Sequence, residues 1–256
     1  MTDFCKYTDA VLSALRNSNR DQEIISKKVD ILTGIYDFYN LVPENLLFVG
    51  FNPAILGAKT KNVCVTEISD SARDYLDSKR IPYTYINENN FGQYNKSFDV
   101  VVAADEYFTF ADSDQGQIDS VRKICNLAKE FVVSTLRDYK NQDYKDREFS
   151  IPAVARTGNA TSVYAEFHDW HPSSKSQWTS RLYEIDNATN ELTTYGPFAR
   201  HTMYFKQLAK FSIDSGAHDF VVHKNLMYKS VVKKNYEHVI SIRFEDQWTY
   251  QNSSNQ

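Results

Sequence analysis

The sequence predicts an α/β fold in which helices cover a mostly parallel sheet. The short, continuous apolar run at residues 46–49 is typical of a parallel strand that is buried on both faces, and residues 98–103 give the strongest strand signal of the sequence. Segments with the apolar spacing of amphipathic helices lie between these runs and others like them. Because strands that alternate with helices at this spacing form right-handed βαβ units, ligands are expected beyond the carboxyl ends of the strands.

The composition indicates a single folded domain over residues 1–256. The apolar content of 42% suffices for a substantial core, and the net charge of −4 gives no general attraction to nucleic-acid backbones or anionic membranes. No apolar run approaches the roughly 20 residues of a membrane helix, and we expect no signal peptide. Cys5, Cys64 and Cys125 are widely spaced and odd in number, so we expect free thiols and a cytoplasmic location.

Residues 1–42 are interpreted as a helical preface that packs on the main domain. Thr8 or Asp9 is expected to cap a first helix over residues 10–16, and a second helix is expected over residues 21–39. Pro43 then ends the helical region.

Residues 43–145 are interpreted as the core, with five strands and the helices between them. The strands are expected at residues 46–49, 63–66, 83–86, 98–103 and 131–135, and the longer helices at residues 72–79 and 112–129. Asn52 followed by Pro53 is typical of a helix start, because Asn caps well and Pro is tolerated at the first helical position.

The remaining residues are expected to cover and close the sheet. Alternating polar and apolar residues within 146–205, with a turn cluster at 186–190, predict a β-hairpin cover. Residues 206–256 are expected to supply two closing strands, at 220–222 and 238–242, and a frayed polar tail.

The segment from 97 to 105, Ser-Phe-Asp-Val-Val-Val-Ala-Ala-Asp, resembles the fourth-strand motif of the class I S-adenosyl-L-methionine (AdoMet)-dependent methyltransferases. Residues 46–50 resemble the family's first strand with its glycine turn, and 65–67 its second strand with a terminal acid. The resemblance extends over roughly residues 45–245. It implies a Rossmann-like, seven-stranded, mostly parallel sheet with an antiparallel closing strand, and it implies AdoMet as the cofactor.

The resemblance also implies the cofactor-binding residues. Glu67 is placed to accept hydrogen bonds from ribose hydroxyls, and Gly50 lies in the turn that the cofactor approaches closely. Three further residues are implied: Asn87 and Glu88, which would contact the adenine, and Ala103 at the end of the fourth strand. Asn52 stands where the family has a glycine and is expected to replace it in part, because Asn tolerates the left-handed conformation.

Two departures from the family pattern favour a second reading. The family usually has an acidic residue where Phe48 stands, and further glycines where Asn52 and Ala54 stand. A catalytically inactive methyltransferase-like protein that serves for binding or as a scaffold is therefore the alternative to an active enzyme.

Two residues are the candidates for catalysis. His168 has an ordinary pKa near neutrality and could deprotonate an incoming nucleophile, while Asp105 could orient a substrate amine or hydroxyl. The cluster from His168 to His171 lacks a third histidine nearby, so no metal site is predicted. A polar loop near the crevice is the alternative for this cluster, and capping of the next helix is the alternative for Asp105.

Other motifs are absent or weak. Residues 57–60, Gly-Ala-Lys-Thr, lack the glycines of a phosphate-binding loop, and no dinucleotide-binding glycine pattern is present. Motifs of amino- and cytosine-methylating DNA enzymes are also missing. Four lysines with interleaved tyrosines form a basic stretch that either contacts an acidic partner or is a solvated loop: Lys224, Lys229, Lys233 and Lys234.

These observations lead to one functional expectation and its alternative. We expect an AdoMet-dependent methyltransferase that acts on a small molecule or a single exposed side chain, with the hairpin covering the acceptor. Duplex nucleic acid is not expected as a partner. The sequence leaves open whether the chain forms a homodimer, and whether the hairpin is a lid, a dimer contact or both.

Overall fold

The structure, a computed structural model, describes residues 2–18, 20–141, 147–149, 152–157, 160–171, 174–229 and 236–244. The described chain contains a large mixed sheet, a second antiparallel sheet and five helices. The helices are α1 (Asp3–Arg16), α2 (Asp21–Tyr39), α3 (Asp70–Ser78), α4 (Asp114–Leu127) and α5 (Phe205–Asp214).

The large sheet has seven strands and confirms the predicted fold class. Its strands are β1 (Asn45–Val49), β2 (Asn62–Thr66), β3 (Thr84–Tyr85), β4 (Phe98–Ala103), β5 (Ala128–Leu136), β11 (Asp219–Lys229) and β12 (Tyr236–Arg243). Their order across the sheet is β11-β12-β5-β4-β1-β2-β3. Only β12 runs against its neighbours, since it pairs antiparallel with both β5 and β11. The strand order reverses between β1 and β4. Ligands bind at such a switch point in open α/β sheets.

The predicted boundaries differ from the observed ones at several ends. The first helix begins at Asp3 and not at residue 10, because the Thr2 side chain accepts the backbone N–H of Cys5 and caps it. Thr8 and Asp9 therefore lie inside the helix, and neither caps it. The third strand is only two residues long, and β5 begins at Ala128, directly after α4.

The predicted hairpin is present as part of a larger sheet. The five strands of this second sheet are β6 (Arg147–Phe149), β7 (Ala153–Thr157), β8 (Ala160–His171), β9 (Ser174–Asp186) and β10 (Glu191–His201). The strands β9 and β10 form the predicted hairpin around the turn at 187–190, and β8 pairs with β9, β7 and β6. The sequence therefore located the hairpin but underestimated the sheet that contains it.

Helix α1 lies between the two sheets and joins them in one core. The second sheet turns Tyr164, Leu182 and Phe198 inward, and all three are fully buried in the cluster that contains Phe48 of β1. The ring of Tyr7 in α1 meets the ring of Phe198 edge to face, at 5.8 Å between centroids. The second sheet is thus packed onto the main domain through α1.

None of the described helices is long and apolar enough to cross a membrane. The three cysteines are free, with Cys5 and Cys125 buried and Cys64 half-buried. Burial raises the pKa of the Cys5 and Cys125 thiols to about 12, so both stay protonated near neutral pH.

Candidate functional site

Four residues at the carboxyl ends of the central strands have left-handed backbones. Gly50 follows β1 with φ 75°, Glu67 follows β2 with φ 52°, and Asp105 and Glu106 follow β4 with φ 55° and 59°. Each non-glycine residue in this region costs about 1–2 kcal/mol. Such backbone strain clusters at functional sites, where the surrounding structure holds it in place. The strained positions mark the same edge of the sheet that the topology predicts for ligand binding.

Glu67 is a buried carboxylate held by three donors. The Thr2 hydroxyl donates to Oε2 at 3.1 Å, the Tyr107 hydroxyl donates to Oε1 at 2.9 Å, and the Lys123 ammonium lies 3.4 Å from Oε1. Burial, together with the charge of Glu67, raises the pKa of Tyr107 well above its ordinary value. Tyr107 therefore stays protonated and remains a donor to this carboxylate.

The turn after β1 is covered by the first turns of α1. A β-carbon at position 50 would collide with the ring of Phe4 and would lie 3.0 Å from Cγ2 of Thr8. The Phe4 ring also meets the Tyr107 ring edge to face, at 4.8 Å between centroids. Glycine is required at position 50 by its positive φ and by this close approach. The chain's own N-terminal helix thus occupies the space in front of Gly50.

Asn52 does not take the role that the sequence suggested. Its backbone is extended, with φ −131° and ψ 131°, and is not left-handed. Its side-chain oxygen accepts the N–H of Ala54 at 3.0 Å and caps the 3₁₀ turn Pro53–Gly57. The predicted replacement of a glycine is therefore wrong, whereas the predicted cap before Pro53 is confirmed.

Asn87 and Glu88 lie near Glu67 but are already engaged by the chain. The Asn87 side chain accepts the N–H of Asn89 at 3.0 Å and caps the 3₁₀ turn Glu88–Tyr94. Glu88 forms an ion pair with Lys123 at 3.3 Å. Lys123, from α4, therefore lies between the two acids that the sequence assigned to the cofactor.

Ala103, the last residue of β4, is fully buried. Its carbonyl oxygen accepts a hydrogen bond from the Ser134 hydroxyl at 2.8 Å. This bond fixes the end of β4 against β5, next to the strained residues 105 and 106.

Glu106 anchors a set of buried charges beyond β4 and β5. Its carboxylate accepts hydrogen bonds from the Tyr139 hydroxyl at 2.5 Å and from the Arg137 guanidinium at 3.1 Å. Burial opposes the charged form of Arg137, but Glu106 and other nearby carboxylates outweigh burial and raise its pKa above the ordinary value. Arg137 is thus a permanent cation inside the protein.

Lys28 contributes a second buried cation from α2. Burial lowers the pKa of Lys28 to about 7, and the charges of Asp105 and Glu237 oppose this shift only in part. The carboxylate of Glu237 in turn accepts the hydroxyl of Thr135, at the end of β5. A buried amine of this kind is poised between its two protonation states near neutral pH.

The alternative prediction for the cluster from His168 to His171 was a polar loop. This alternative is wrong, because His168 lies in the interior of β8. Its side chain is fully buried, with Nε2 at 3.3 Å from Glu166 and its ring centroid 4.6 Å from that of Trp178. His168 faces inward, whereas His171, three residues on, is exposed. Because side chains alternate across a strand, these two histidines cannot share one metal ion. Within the described ranges, no group of three metal-ligating residues is found.

Arg200 of β10 joins the second sheet to the crevice. Its guanidinium donates to Thr109 at 2.9 Å, lies 3.5 Å from Glu166, and lies 3.5 Å from the centroid of the Phe110 ring. Phe110 in turn packs against Phe4, which covers Gly50. The buried ionisable residues described above are together called the buried charge cluster: Lys28, Asp105, Glu106, Arg137, Glu166, His168, Arg200 and Glu237.

Sequence reasoning found Glu67, Asp105 and His168 but missed most of their partners. Among the partners that were missed, Glu106 had the clearest signal in the sequence, because it directly follows Asp105 at a strand end. Lys123 and Arg200 carry no motif, since their roles follow from helix and sheet packing. The basic stretch lies largely outside the described residues: Lys233 and Lys234 fall there, and the side chains of Lys224 and Lys229 are not described.

No family model matches the chain, and no curated protein matches it. Solved structures do match. CalS10, a SAM-bound amino pentose methyltransferase from Micromonospora echinaspora, is 12% identical over 92% of this chain and 95% of its own, with a TM-score of 0.58. DesVI from Streptomyces venezuelae is 10% identical over 88% and 92%, with a TM-score of 0.62. An S-adenosylmethionine-dependent methyltransferase from Clostridium acetobutylicum is 13% identical over 86% and 91%, with a TM-score of 0.53.

These likenesses show that the chain has the fold of the AdoMet-dependent methyltransferases. The residues at the strand ends fit the cofactor in two respects: Glu67 is a carboxylate at the tip of β2, and Gly50 lies in a turn with positive φ. In this conformation the Thr2 hydroxyl donates to the Glu67 carboxylate, and the ring of Phe4 packs on Gly50. The start of α1 therefore covers both of these residues.

Proposed function

We propose that this protein is an AdoMet-dependent methyltransferase that acts on a small molecule or on a single exposed side chain. One observation carries the proposal: Glu67 follows β2, Asp105 and Glu106 follow β4 on the other side of β1, and all three acidic residues have left-handed backbones at the same edge of the sheet. Strained backbone at three acidic residues on the ligand-binding edge of the sheet supports a functional site there.

The proposal assigns a role to each part of the site. Glu67 holds the ribose hydroxyls of the cofactor in place of Thr2, and the bound cofactor supplies the methyl group. Asp105 orients the acceptor, and His168 accepts its proton, because an imidazole can take a proton near neutral pH. The second sheet excludes water and keeps the acceptor aligned, which provides much of the rate in a displacement reaction.

The position of the buried charge cluster supports a small acceptor. Glu166, His168 and Arg200 are all buried beneath the second sheet. A small molecule or one protruding side chain can reach such a place, whereas a duplex nucleic acid is too wide to enter. The acidic members of the cluster favour an acceptor that carries an amine or hydroxyl donor.

A specific observation favours the second candidate, an inactive binding or scaffold protein. Phe4 packs on Gly50, and the carboxylate of Glu67 is already satisfied by Thr2, Tyr107 and Lys123. Because the protein's own side chains fill the crevice, the folded protein would not need a bound cofactor to be stable. The two candidates therefore differ in whether the first turn of α1 opens.

Calorimetric titration with AdoMet and with S-adenosylhomocysteine separates the candidates. The proposal predicts micromolar binding of both ligands to the wild-type protein and loss of binding in Glu67→Ala. Glu191→Ala, an exposed substitution on β10, serves as the matched control and is expected to bind like the wild type. If the folded wild-type protein binds neither ligand, the enzyme is excluded and the inactive binding or scaffold protein remains as the function.

A further inference from the structure

The outward side of the second sheet carries a contiguous apolar patch. Cross-strand pairing places Val154 opposite Val163, Val163 opposite Ile185, and Ile185 opposite Leu192. These four side chains form one row across β7, β8, β9 and β10. Val154 is 47% exposed, Ile185 42% and Leu192 60%. The row thus presents aliphatic surface to solvent from four adjacent strands.

A second row of the same face is aromatic. Phe149 of β6 pairs with Phe167 of β8, with 6.2 Å between the ring centroids, and Phe149 is 67% exposed. The Phe167 ring meets the Tyr183 ring of β9 edge to face at 5.2 Å. We call the two rows together the outward face: Phe149, Val154, Val163, Phe167, Tyr183, Ile185 and Leu192.

Packing onto the main domain does not explain this face. The opposite face of the same strands already supplies Tyr164, Leu182 and Phe198 to the core. An antiparallel sheet at a protein surface ordinarily places apolar residues inward and polar residues outward. Contiguous apolar patches on a protein surface usually mark a site of interaction. The second sheet is therefore built to be covered on both faces.

We propose that the outward face packs against the same face of a second copy of this chain. The charges favour this occupant. Along the described outward side of these strands, Arg181 and Asp169 form an ion pair at 2.6 Å, and Arg156 stands at the edge. An isologous interface must be complementary to itself, and a nearly neutral face meets this condition, whereas a face of one sign would repel its copy. The same neutrality gives no attraction to a strongly acidic or basic partner.

The size of the face also suits a dimer. The whole outward side of the sheet, in which polar residues border this face, covers four strand positions about 4.8 Å apart over about eleven residues at about 3.3 Å each, a projected area on the order of 700 Å². Stable interfaces bury about 800 Å² of accessible surface per partner, and accessible surface exceeds its projection. Two such faces related by a two-fold axis would stack about 10 Å apart, as sheets do in sandwiches. The inference stands whether or not the chain transfers methyl groups.

Light scattering on a size-exclusion column tests this interface. We expect the wild-type protein to have twice the mass of the 29.6 kDa chain. The double variant Ile185→Lys with Leu192→Lys should raise the dimer dissociation constant about a hundredfold, because it adds two charges to the aliphatic row that the proposed dimer would bury. The matched control is Ile213→Lys on α5, which is 57% exposed and lies outside the face, and it should leave the mass unchanged.

A second measurement needs no substitution. Hydroxyl-radical labelling of Phe149 and Tyr183 in the wild-type protein should fall as the protein concentration rises through the dissociation constant. A wild-type protein that stays monomeric at its highest soluble concentration would overturn the inference. So would a dimer whose mass survives in the folded double variant, or labelling of these two rings that does not change with concentration.

Discussion

Three side chains of the protein itself compete with any ligand for the carboxylate of Glu67. Thr2, Tyr107 and Lys123 reach it from three different elements. Tyr107 and Lys123 belong to the walls of the crevice, so they can remain in place while a ligand binds. Thr2 caps the start of α1, and on the proposed function its hydroxyl stands where a ribose hydroxyl of the cofactor would donate. The residue that decides access is therefore Thr2.

Substitution of Thr2 should strengthen cofactor binding. Thr2→Val removes the hydroxyl that donates to Glu67, and it also removes the cap of α1, which costs about 1 kcal/mol of helix stability. Both losses favour the open crevice, so we expect AdoMet affinity to rise by about tenfold, the equivalent of about 1.4 kcal/mol. Calorimetry checks this, with the exposed Thr193→Val on β10 as the control. Unchanged or weaker affinity in Thr2→Val would show that Thr2 does not guard the site.

Lys28 should make stability depend on pH in a defined window. Its folded pKa of about 7 lies below the unfolded value of about 10.4. Above pH 7 the unfolded chain holds a proton that the folded chain has released, so the free energy of unfolding rises with pH, by at most about 1.4 kcal/mol per unit. Below pH 7 this contribution is flat, and the burial cost is fully present.

Denaturant titrations between pH 7 and 8.5 measure this effect. The slope of unfolding free energy against pH should be smaller in Lys28→Met than in the wild type. The window ends at 8.5 because the buried thiols of Cys5 and Cys125, with pKa values of about 12, reverse the slope above the ordinary cysteine pKa. Equal slopes in the two proteins would mean that Lys28 is charged in the folded state.

Single residues could be predicted from the sequence where a strand end fixes them. Glu67 and Asp105 follow apolar runs directly, so their place at the ligand edge was readable. Asn52 was read wrongly, because a capping side chain keeps its own backbone extended. Lys123 and Arg200 could not be predicted, because their partners lie far away in sequence and meet only through packing.

Among the elements, α1 is held at both ends by buried carboxylates. At the start of α1, the Glu67 carboxylate accepts a hydrogen bond from Thr2. Near the end of α1, the Glu184 carboxylate of β9 accepts hydrogen bonds from Ser13 at 2.9 Å and from Asn17 at 2.8 Å. Glu184 also accepts hydrogen bonds from Tyr164 and Tyr195. The anchor at Glu184 is much the stronger, so opening is expected to be confined to the first turns of the helix.

Glu184→Gln should therefore destabilise the protein. The amide keeps the shape of the side chain but weakens four charge-assisted hydrogen bonds, and it brings a donor toward groups that are donors themselves. We expect a loss of about 2–3 kcal/mol in the free energy of unfolding, measured by denaturant titration. The exposed Glu191→Gln on the neighbouring strand is the control and should lose less than about 0.5 kcal/mol. A loss as small as this in Glu184→Gln would refute the anchoring role.

Elements with strong periodicity were predicted, and those that depend on tertiary pairing were not. The segment at 98–103 predicted β4 with its observed bounds, because a strand buried on both faces is rich in apolar residues, here all but Asp99. The start of α1 was missed because Thr2 caps from outside the apolar pattern. The strands β6 and β7 are three and five residues long, and such short strands are defined mainly by pairing with β8.

At the scale of the whole molecule, both sheets share one hydrophobic core. Phe48 of the large sheet and Leu182 of the second sheet belong to the same buried cluster, with α1 between them. The class of the large sheet followed from the sequence, because alternating strands and helices allow few topologies. The extent of the second sheet and its apolar outward face could not be predicted from the sequence, because alternation within single strands does not show which strands pair.

A shared core predicts that the two sheets unfold together. Thermal unfolding followed by far-ultraviolet circular dichroism and by fluorescence of Trp170 and Trp178, both in the second sheet, should give coincident transitions. An early transition in fluorescence alone would instead identify the second sheet as an independent unit.

Hydrogen exchange with and without S-adenosylhomocysteine tests the central claim, a cofactor crevice behind the first turn of α1, most directly. The account predicts slower exchange of the amides at residues 50–52 and 67–69, which line the crevice, and faster exchange in residues 3–8, which must move aside. Exchange in residues 10–16 should stay unchanged, because Glu184 holds that end of the helix. Exchange that is identical with and without the ligand at all these positions, or protection of residues 3–8, would contradict it.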